Sequence, residues 1–448
     1  MRIYRVRPMA KRTTTMAELL LGWPLERPAP AIGFRPASVA VPPHDASRPL
    51  RDAAESHLLV IAPTGAGKGR GVIIPNLLHY DGPAIVVDVK GEAASVTARH
   101  RREIGQEVVV LDPFRVLGPE TGSLNPLDML AASPSAMADD AFMLAEMLAT
   151  GSRGTKEPFW DDHAVNLVAG LIAHVAMAKE PADRNLGAVW KLLAHDELAF
   201  HLAQLLDAAT EDTPIHPFAR DQFANFLSHE GDKVRTSVRS TAQQHMRIFA
   251  SEQVQRVTAT TSFPLEAVRA GAPLTIYLVI PPTKLISHAA LLRLWIATLL
   301  GVISERAVRP AKPTLLIIDE LAQLGPLPLI KLAVTLLRGY GVRCALFLQS
   351  MSQLRGLWPV DHEAIAENCG TILTFGHTSL AMSRQIADLF GDISAEALFA
   401  LPHDQLAVHR AGKQTEIVRR LDYLDDPLFF GRSDRNPRFR REAFAMKA

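Results

Sequence analysis

Two features of this chain combine residue types and spacing that can do chemistry: a lysine set in a run of glycines, and a pair of carboxylates that ends an apolar run. Residues 57–61 have the apolar, β-branched character of a buried strand. Pro63, Thr64, Gly65, Ala66, Gly67, Lys68, Gly69 and Arg70 follow almost at once. Gly65 and Gly67 can adopt positive φ, so that successive backbone N–H groups converge on an anion. A helix starting near Lys68 turns its positive end toward the same point, and Lys68 adds a full charge for the outer phosphates of a nucleotide. The spacing of residues 62–68 fits the phosphate-loop pattern, with Ala62 where the first glycine usually stands. Gly69 replaces the hydroxyl residue that normally ligates Mg²⁺. The competing reading, a turn that only links strand to helix, is disfavoured by the strand before the loop and the helix after it.

The second feature is the strand-like run 314–318, which ends in Asp319 and Glu320. An acid at such a strand end can hold Mg²⁺, and a neighbouring glutamate can orient or deprotonate the attacking water. Asp319 is therefore assigned to the metal and Glu320 to the water. Gln349 ends the next apolar run, where its amide could either sense a γ-phosphate or cap the following helix. Arg338 lies between Leu337 and Gly339 just before that run. It is either an arginine finger for a neighbouring subunit's nucleotide or a solvated surface residue. Asp88 ends another strand: it could support the metal, Lys90 could face phosphate, or the turn could simply cap the next helix.

These residues need elements to position them. Strand-like runs at 57–61, 84–88 and 107–111 alternate with helical patterns at 68–80 and 92–104, the signature of βαβ units and a parallel sheet. From about residue 134 to 261 only helical spacing recurs, and Phe159, Trp160 and Trp190 read as helical core. Strands resume at 274–280, 314–319, 344–348 and 371–375. About 250 residues separate Lys68 from Asp319, so one α/β unit must be interrupted by an all-α insert. The expected division is an extended, proline-rich arm (1–50), a first nucleotide-binding part (51–149), an all-α domain (150–262), a second nucleotide-binding part (263–430) and a flexible basic tail (431–448).

Of 448 residues, 48% are hydrophobic and 21% charged, which excludes wholesale disorder. With 48 Lys and Arg against 47 Asp and Glu, a general polycation is excluded too. Only two cysteines, Cys344 and Cys369, argue against a disulfide framework or a Cys-based metal site and for a reduced, cytoplasmic setting. Residues 289–303 are apolar but contain Arg293, and the run falls short of the roughly 20 residues needed to span a bilayer. A buried helix and no transmembrane span are expected. The basic residues near the N-terminus precede no hydrophobic stretch of signal-peptide length.

Taken in order, several stretches resemble the VirD4/TraG family of type IV secretion coupling proteins. They are residues 62–69, 74–78, 88–92, 124–128, Phe159 with Trp160, 318–321 and 348–354. The resemblance implies a RecA-like P-loop NTPase domain using ATP and Mg²⁺, with a mostly parallel sheet and an all-α domain that selects the transferred substrate. It further implies a homo-hexamer at the cytoplasmic mouth of a secretion channel, recruiting a relaxase and moving single-stranded DNA. By position, Arg338 matches the loop of the family's trans-acting arginine, and Gln349 a sensor-like glutamine. Family members usually begin with two transmembrane helices. This chain is expected to sit peripherally at the inner membrane, through channel components or a separate membrane anchor. Two alternatives stay open: a double-stranded DNA translocase of the FtsK/HerA type, and a nucleotide-gated docking adaptor that does not pump.

Overall fold

Among the described residues, six strands are buried along their whole length, the pattern of strands covered on both faces. They are β3 (Leu58–Ile61), β4 (Ala84–Val87), β6 (Leu274–Leu278), β7 (Thr314–Ile318), β8 (Val342–Leu348) and β9 (Thr371–Thr374). With β5 (Glu107–Leu111) they form the parallel part of the sheet, in the order β9-β3-β8-β7-β4-β6-β5. The computed structural model describes residues 18–25, 48–132, 134–150, 158–178, 180–210, 215–325 and 327–438.

Four antiparallel strands extend this sheet beyond β9. They are β1 (Leu19–Pro24), β2 (Leu50–Asp52), β10 (Gln405–Arg410) and β11 (Glu416–Arg419), and the full order begins β2-β1-β11-β10-β9. This corrects the reading of residues 1–50 as an extended arm throughout. Leu19, Leu20 and Leu21 are too short an apolar run for a membrane or a signal sequence, but long enough to be buried as a sheet strand. Residues 1–17 and 26–47 of that expected arm lie outside the described residues.

After β3 the chain enters a widened helical turn, Gly69–Ile73, which continues as α1 (Ile74–His79); α2 (Glu92–Glu103) follows β4. Between β5 and β6 every described element is a helix: α3 (Asp128–Ala132), α4 (Met137–Ala149), α5 (Pro158–Ala176), α6 (Leu186–Ala194), α7 (Leu198–Asp207), α8 (Pro217–Ser228), α9 (Asp232–Met246), α10 (Glu252–Thr258) and α11 (Leu265–Ala270), with short 3₁₀ turns. The helical stretch thus begins before residue 150, and α4 packs on both α5 and the later helix α12 (Pro282–Ser304). Phe159 departs from the core reading: it is half exposed, its ring 5.0 Å from that of Trp160 and 4.3 Å from that of His163.

By length and composition, α12 is the one described helix that could cross a membrane, with mean hydropathy 1.8 over its most apolar window. Here it is a core helix. Its Arg293 is buried and donates to the carbonyls of Met147, Leu324 and Thr150, so the charge is solvated by backbone within the protein. The remaining helices are α13 (Pro328–Thr335), α14 (Met351–Leu357), α15 (His362–Asn368), α16 (Leu380–Phe390) and α17 (Ala395–Phe399).

Parallel register sets the functional edge. Ile61 pairs with Leu348, Ile318 with Leu346, and Val87 with Ile318. Strands β3, β8, β7 and β4 therefore end at nearly the same level, and the segments that follow them emerge side by side. In open α/β sheets, ligands bind at these carboxyl ends.

The C-terminal segment corrects another expectation. Residues 431–438 are not a loose tail but dock on α2: Arg99 pairs with Asp434 at 2.6 Å, and Asn436 donates to Glu92 at 2.6 Å. Arg438 donates to the Lys90 carbonyl at 2.9 Å. The Asp434 N–H also donates to the Val96 carbonyl of α2 at 2.9 Å. Residues 439–448 lie outside the described residues.

Candidate functional site

The glycine loop closes by local geometry. Gly65 and Gly67 take φ of 80° and 92°, values that an L side chain rarely adopts. Lys68 is buried, with its Nζ donating to the carbonyls of Ala62 at 2.7 Å and Pro63 at 3.2 Å. Burial pushes the Lys68 ammonium's pKa down, while the Glu320 and Asp319 carboxylates pull it back up. The lysine and the acid pair, distant in sequence, are therefore close enough for their charges to act on one another.

Asp319 and Glu320 follow β7 directly. Enclosure pushes the Asp319 carboxyl up to about 6, helped by the adjacent Glu320 charge and opposed by Lys68 and Lys90. Glu320 has φ 59° and ψ 49°, a left-handed conformation for a residue with a Cβ. Such backbone costs on the order of 1–3 kcal/mol and gathers at active sites. Its Oε2 accepts a 2.6 Å hydrogen bond from Gln349 Nε2 at the end of β8. Gln349 thus does not cap the next helix with its side chain; Ser350 accepts from the Gln353 N–H in that role.

Asp88 resolves differently. Its two oxygens accept from the N–H groups of Glu92 at 3.1 Å and Ala94 at 2.8 Å, so it caps the start of α2. Burial and the nearby Asp319 push it up to about 6. Gly69, Asp88, Lys90, Glu92 and Asp319 line a small cavity between them.

The donor set fits Mg²⁺ of a particular kind. Among the described residues no group of three His, Cys, Asp or Glu side chains could cage a metal. Asp319 beside a phosphate loop is what a Mg²⁺ needs when it keeps several waters and takes its other ligands from substrate phosphates. Gly69 supplies no hydroxyl, although a Cβ there would find its nearest neighbour, Glu92 Oε1, at 3.9 Å.

A sequence profile described as type IV secretory system conjugative DNA transfer matches residues 38–397. The chain belongs to that family. Over 317 residues it is 31% identical to the protein VirD4 of Agrobacterium fabrum, a match covering 69% of this chain and 45% of VirD4. It is 25% identical over 336 residues to the conjugal transfer protein TraG of Escherichia coli, covering 71% of this chain and 52% of TraG. The chain thus spans about half the length of the curated relatives it matches. Its fold is similar to that of the bacterial conjugative coupling protein TrwBdeltaN70 in its unbound form, with a TM-score of 0.61 at 15% identity over 82% of this chain and 84% of that one. TrwB in complex with a non-hydrolysable ATP analogue gives 0.60 at 16% identity, over 84% and 88%. The architecture is a RecA-like P-loop NTPase fold, α/β with a mostly parallel sheet.

Within this conjugative-transfer family member, two arginines sit away from the phosphate loop's mouth. Arg70 is gripped by Asp422, with Nε to Oδ1 at 2.7 Å and Nη2 to Oδ2 at 2.5 Å, and by Asp425 at 3.0 Å. What is corrected is any phosphate contact through its guanidinium: a bidentate carboxylate holds that side chain to the C-terminal segment. Arg338 lies before β8, at the opposite end of that seven-residue strand from Gln349. At about 3.3 Å per residue, roughly 20 Å separates the two ends. Arg338 lines a cleft of about 520 Å³ at that far edge, together with Ser56, Arg410 and Lys413. It cannot serve the loop of its own protomer.

The sequence reading missed Arg420. It follows β11, and its Nη1 donates to the Ala66 carbonyl inside the glycine loop, 354 positions away in sequence. No local spacing could have pointed to it.

Proposed function

We propose that this protein is the ATP-hydrolysing coupling protein of a type IV secretion or conjugation system. The observation that carries the reading is the meeting, at one sheet edge, of Lys68 with Asp319, Glu320 and its partner Gln349. In this reading Thr64 to Gly69 wrap the triphosphate and Lys68 leaves its loop carbonyls for the outer phosphates. Asp319 holds Mg²⁺, which when bound neutralises charge on the phosphate oxygens. Glu320 orients the attacking water and accepts its proton as the bond to the γ-phosphorus forms and the bond to the β–γ bridging oxygen breaks. Gln349 holds the Glu320 carboxylate in line.

Arg338 acts in trans, on the nucleotide of the next protomer, which makes hydrolysis depend on assembly of a homo-hexamer. The all-α insert selects the cargo, a relaxase with its single-stranded DNA. The ring works at the inner membrane against the secretion channel. Family membership and the TrwB fold support these assignments, and the distance of Arg338 from its own loop supports a trans role.

The test is ATP turnover with and without single-stranded DNA. Wild-type protein should turn over faster with DNA, Lys68→Ala should lose nucleotide binding, and Glu320→Gln should bind nucleotide but hydrolyse it about 10²–10⁴-fold more slowly. Turnover unaltered in both variants defeats the reading.

A further inference from the structure

Arg420 is built into the phosphate loop from the other end of the chain. Its own N–H donates to the Asp404 carbonyl at 2.6 Å, which fixes its backbone beside the start of β10. From there the side chain crosses the end of the sheet, its guanidinium 5.3 Å from the ring centroid of buried Phe375, and reaches Ala66. Two glycines make room for it. A Cβ on Gly71 would come within 2.6 Å of Arg420 Cδ and 2.7 Å of Cγ, and a Cβ on Gly67 within 3.2 Å of Nη1. Gly67 also needs its positive φ, but Gly71 is not among the positive-φ glycines. The stem of Arg420 accounts for Gly71.

The bond to Ala66 has a consequence fixed by peptide geometry. The Ala66 carbonyl and the Gly67 N–H belong to one planar trans peptide and point in opposite directions. A guanidinium that holds the carbonyl on one side aims the N–H to the other. Arg420 makes no ion pair among the described residues, since Asp422 and Asp425 are taken by Arg70. Its charge therefore stands beside the loop without a carboxylate in contact.

We propose that Arg420 is a positioning residue for nucleotide binding: it holds the Ala66–Gly67 peptide so that the Gly67 N–H faces the phosphates, and it adds positive charge beside them. The inference rests on the loop being the nucleotide site. Arg420→Ala should weaken ADP and ATP binding about tenfold, the size of one charge-assisted hydrogen bond, and raise KM far more than it lowers kcat. Arg420→Lys should recover part of the affinity through its charge. Gly71→Ala should weaken binding in the wild-type background and add nothing in the Arg420→Ala background.

The measurements are nucleotide titrations on the full chain beside Lys68→Ala, with thermal melting run in parallel. A role in stability alone lowers the melting temperature and kcat but leaves the affinity of the folded fraction intact. Arg420→Ala affinity within twofold of wild type, or additive costs of Gly71→Ala and Arg420→Ala, overturns the inference while Lys68→Ala still weakens binding. Unchanged binding in Lys68→Ala overturns the nucleotide reading of the loop itself.

Discussion

Gln349 Nε2 donates to Glu320 Oε2 over 2.6 Å, so the residue that ends β8 holds the carboxylate that follows β7. The two are 29 positions apart and meet because β7 and β8 are parallel neighbours in register, Ile318 beside Leu346. Glu320 adopts its left-handed backbone at the same point, and the bond restrains a side chain whose backbone is already strained.

Removing that restraint should cost catalysis more than binding. Gln349→Ala is expected to lower kcat about tenfold or more, the value of a hydrogen bond to a charged group, with KM within about twofold. Steady-state ATP turnover checks it. A raised KM with unchanged kcat would place Gln349 on the bound nucleotide instead.

Arg338 gives a complementation experiment. Arg338→Ala should reduce turnover of assembled protein about 10³-fold or more while leaving nucleotide affinity intact. Mixed with Lys68→Ala protein, it should regain measurable turnover, because a Lys68→Ala neighbour still offers Arg338 to an intact loop. No recovery on mixing would remove the trans role.

Gly69→Ser tests the missing metal ligand. The open space around Gly69 should admit the side chain without loss of melting temperature. The added hydroxyl should lower, by a few fold, the Mg²⁺ concentration that gives half-maximal turnover. An unchanged Mg²⁺ requirement would show that water already fills that coordination position adequately.

His57 makes stability depend on pH. Burial, with smaller contributions from the Arg338 and Arg343 charges, lowers its pKa to about 4, and its Nδ1 accepts from the Cys344 N–H at 2.9 Å. The unfolded chain binds a proton at about 6.5, the folded chain only near 4. The stabilisation is thus complete above pH 6.5 and is lost as pH falls toward 4, by about 3 kcal/mol in all. Urea unfolding between pH 7 and 4.5 should show this slope, and His57→Asn, which keeps an acceptor for Cys344, should flatten it. An identical slope in the variant would assign the pH dependence to other groups.

The glycine loop and the acid pair were legible because each is local. Residues 62–68 carry their own turn chemistry, and the run 314–318 is apolar enough to be a buried strand ending in carboxylates. The all-helical stretch between them was legible from its spacing. The antiparallel extension was not, since Leu19–Pro24 gains its strand character from pairing with β2 and β11 rather than from its own pattern. Arg70 misled for a related reason: its place after Lys68 suggests a phosphate, but its partner Asp422 is 352 positions away.

By itself, then, the order of residues determined where the parallel strands, the glycine loop, the acid pair and the helical insert lie, because those preferences act over a few neighbouring residues. The tertiary structure alone decided that Gln349 serves Glu320, that Arg420 rather than Arg70 reaches the phosphate loop, and that Arg338 stands at the far edge of the sheet. Contacts across hundreds of positions follow from strand order and register, and those are set by burial of the whole sheet rather than by any stretch within it.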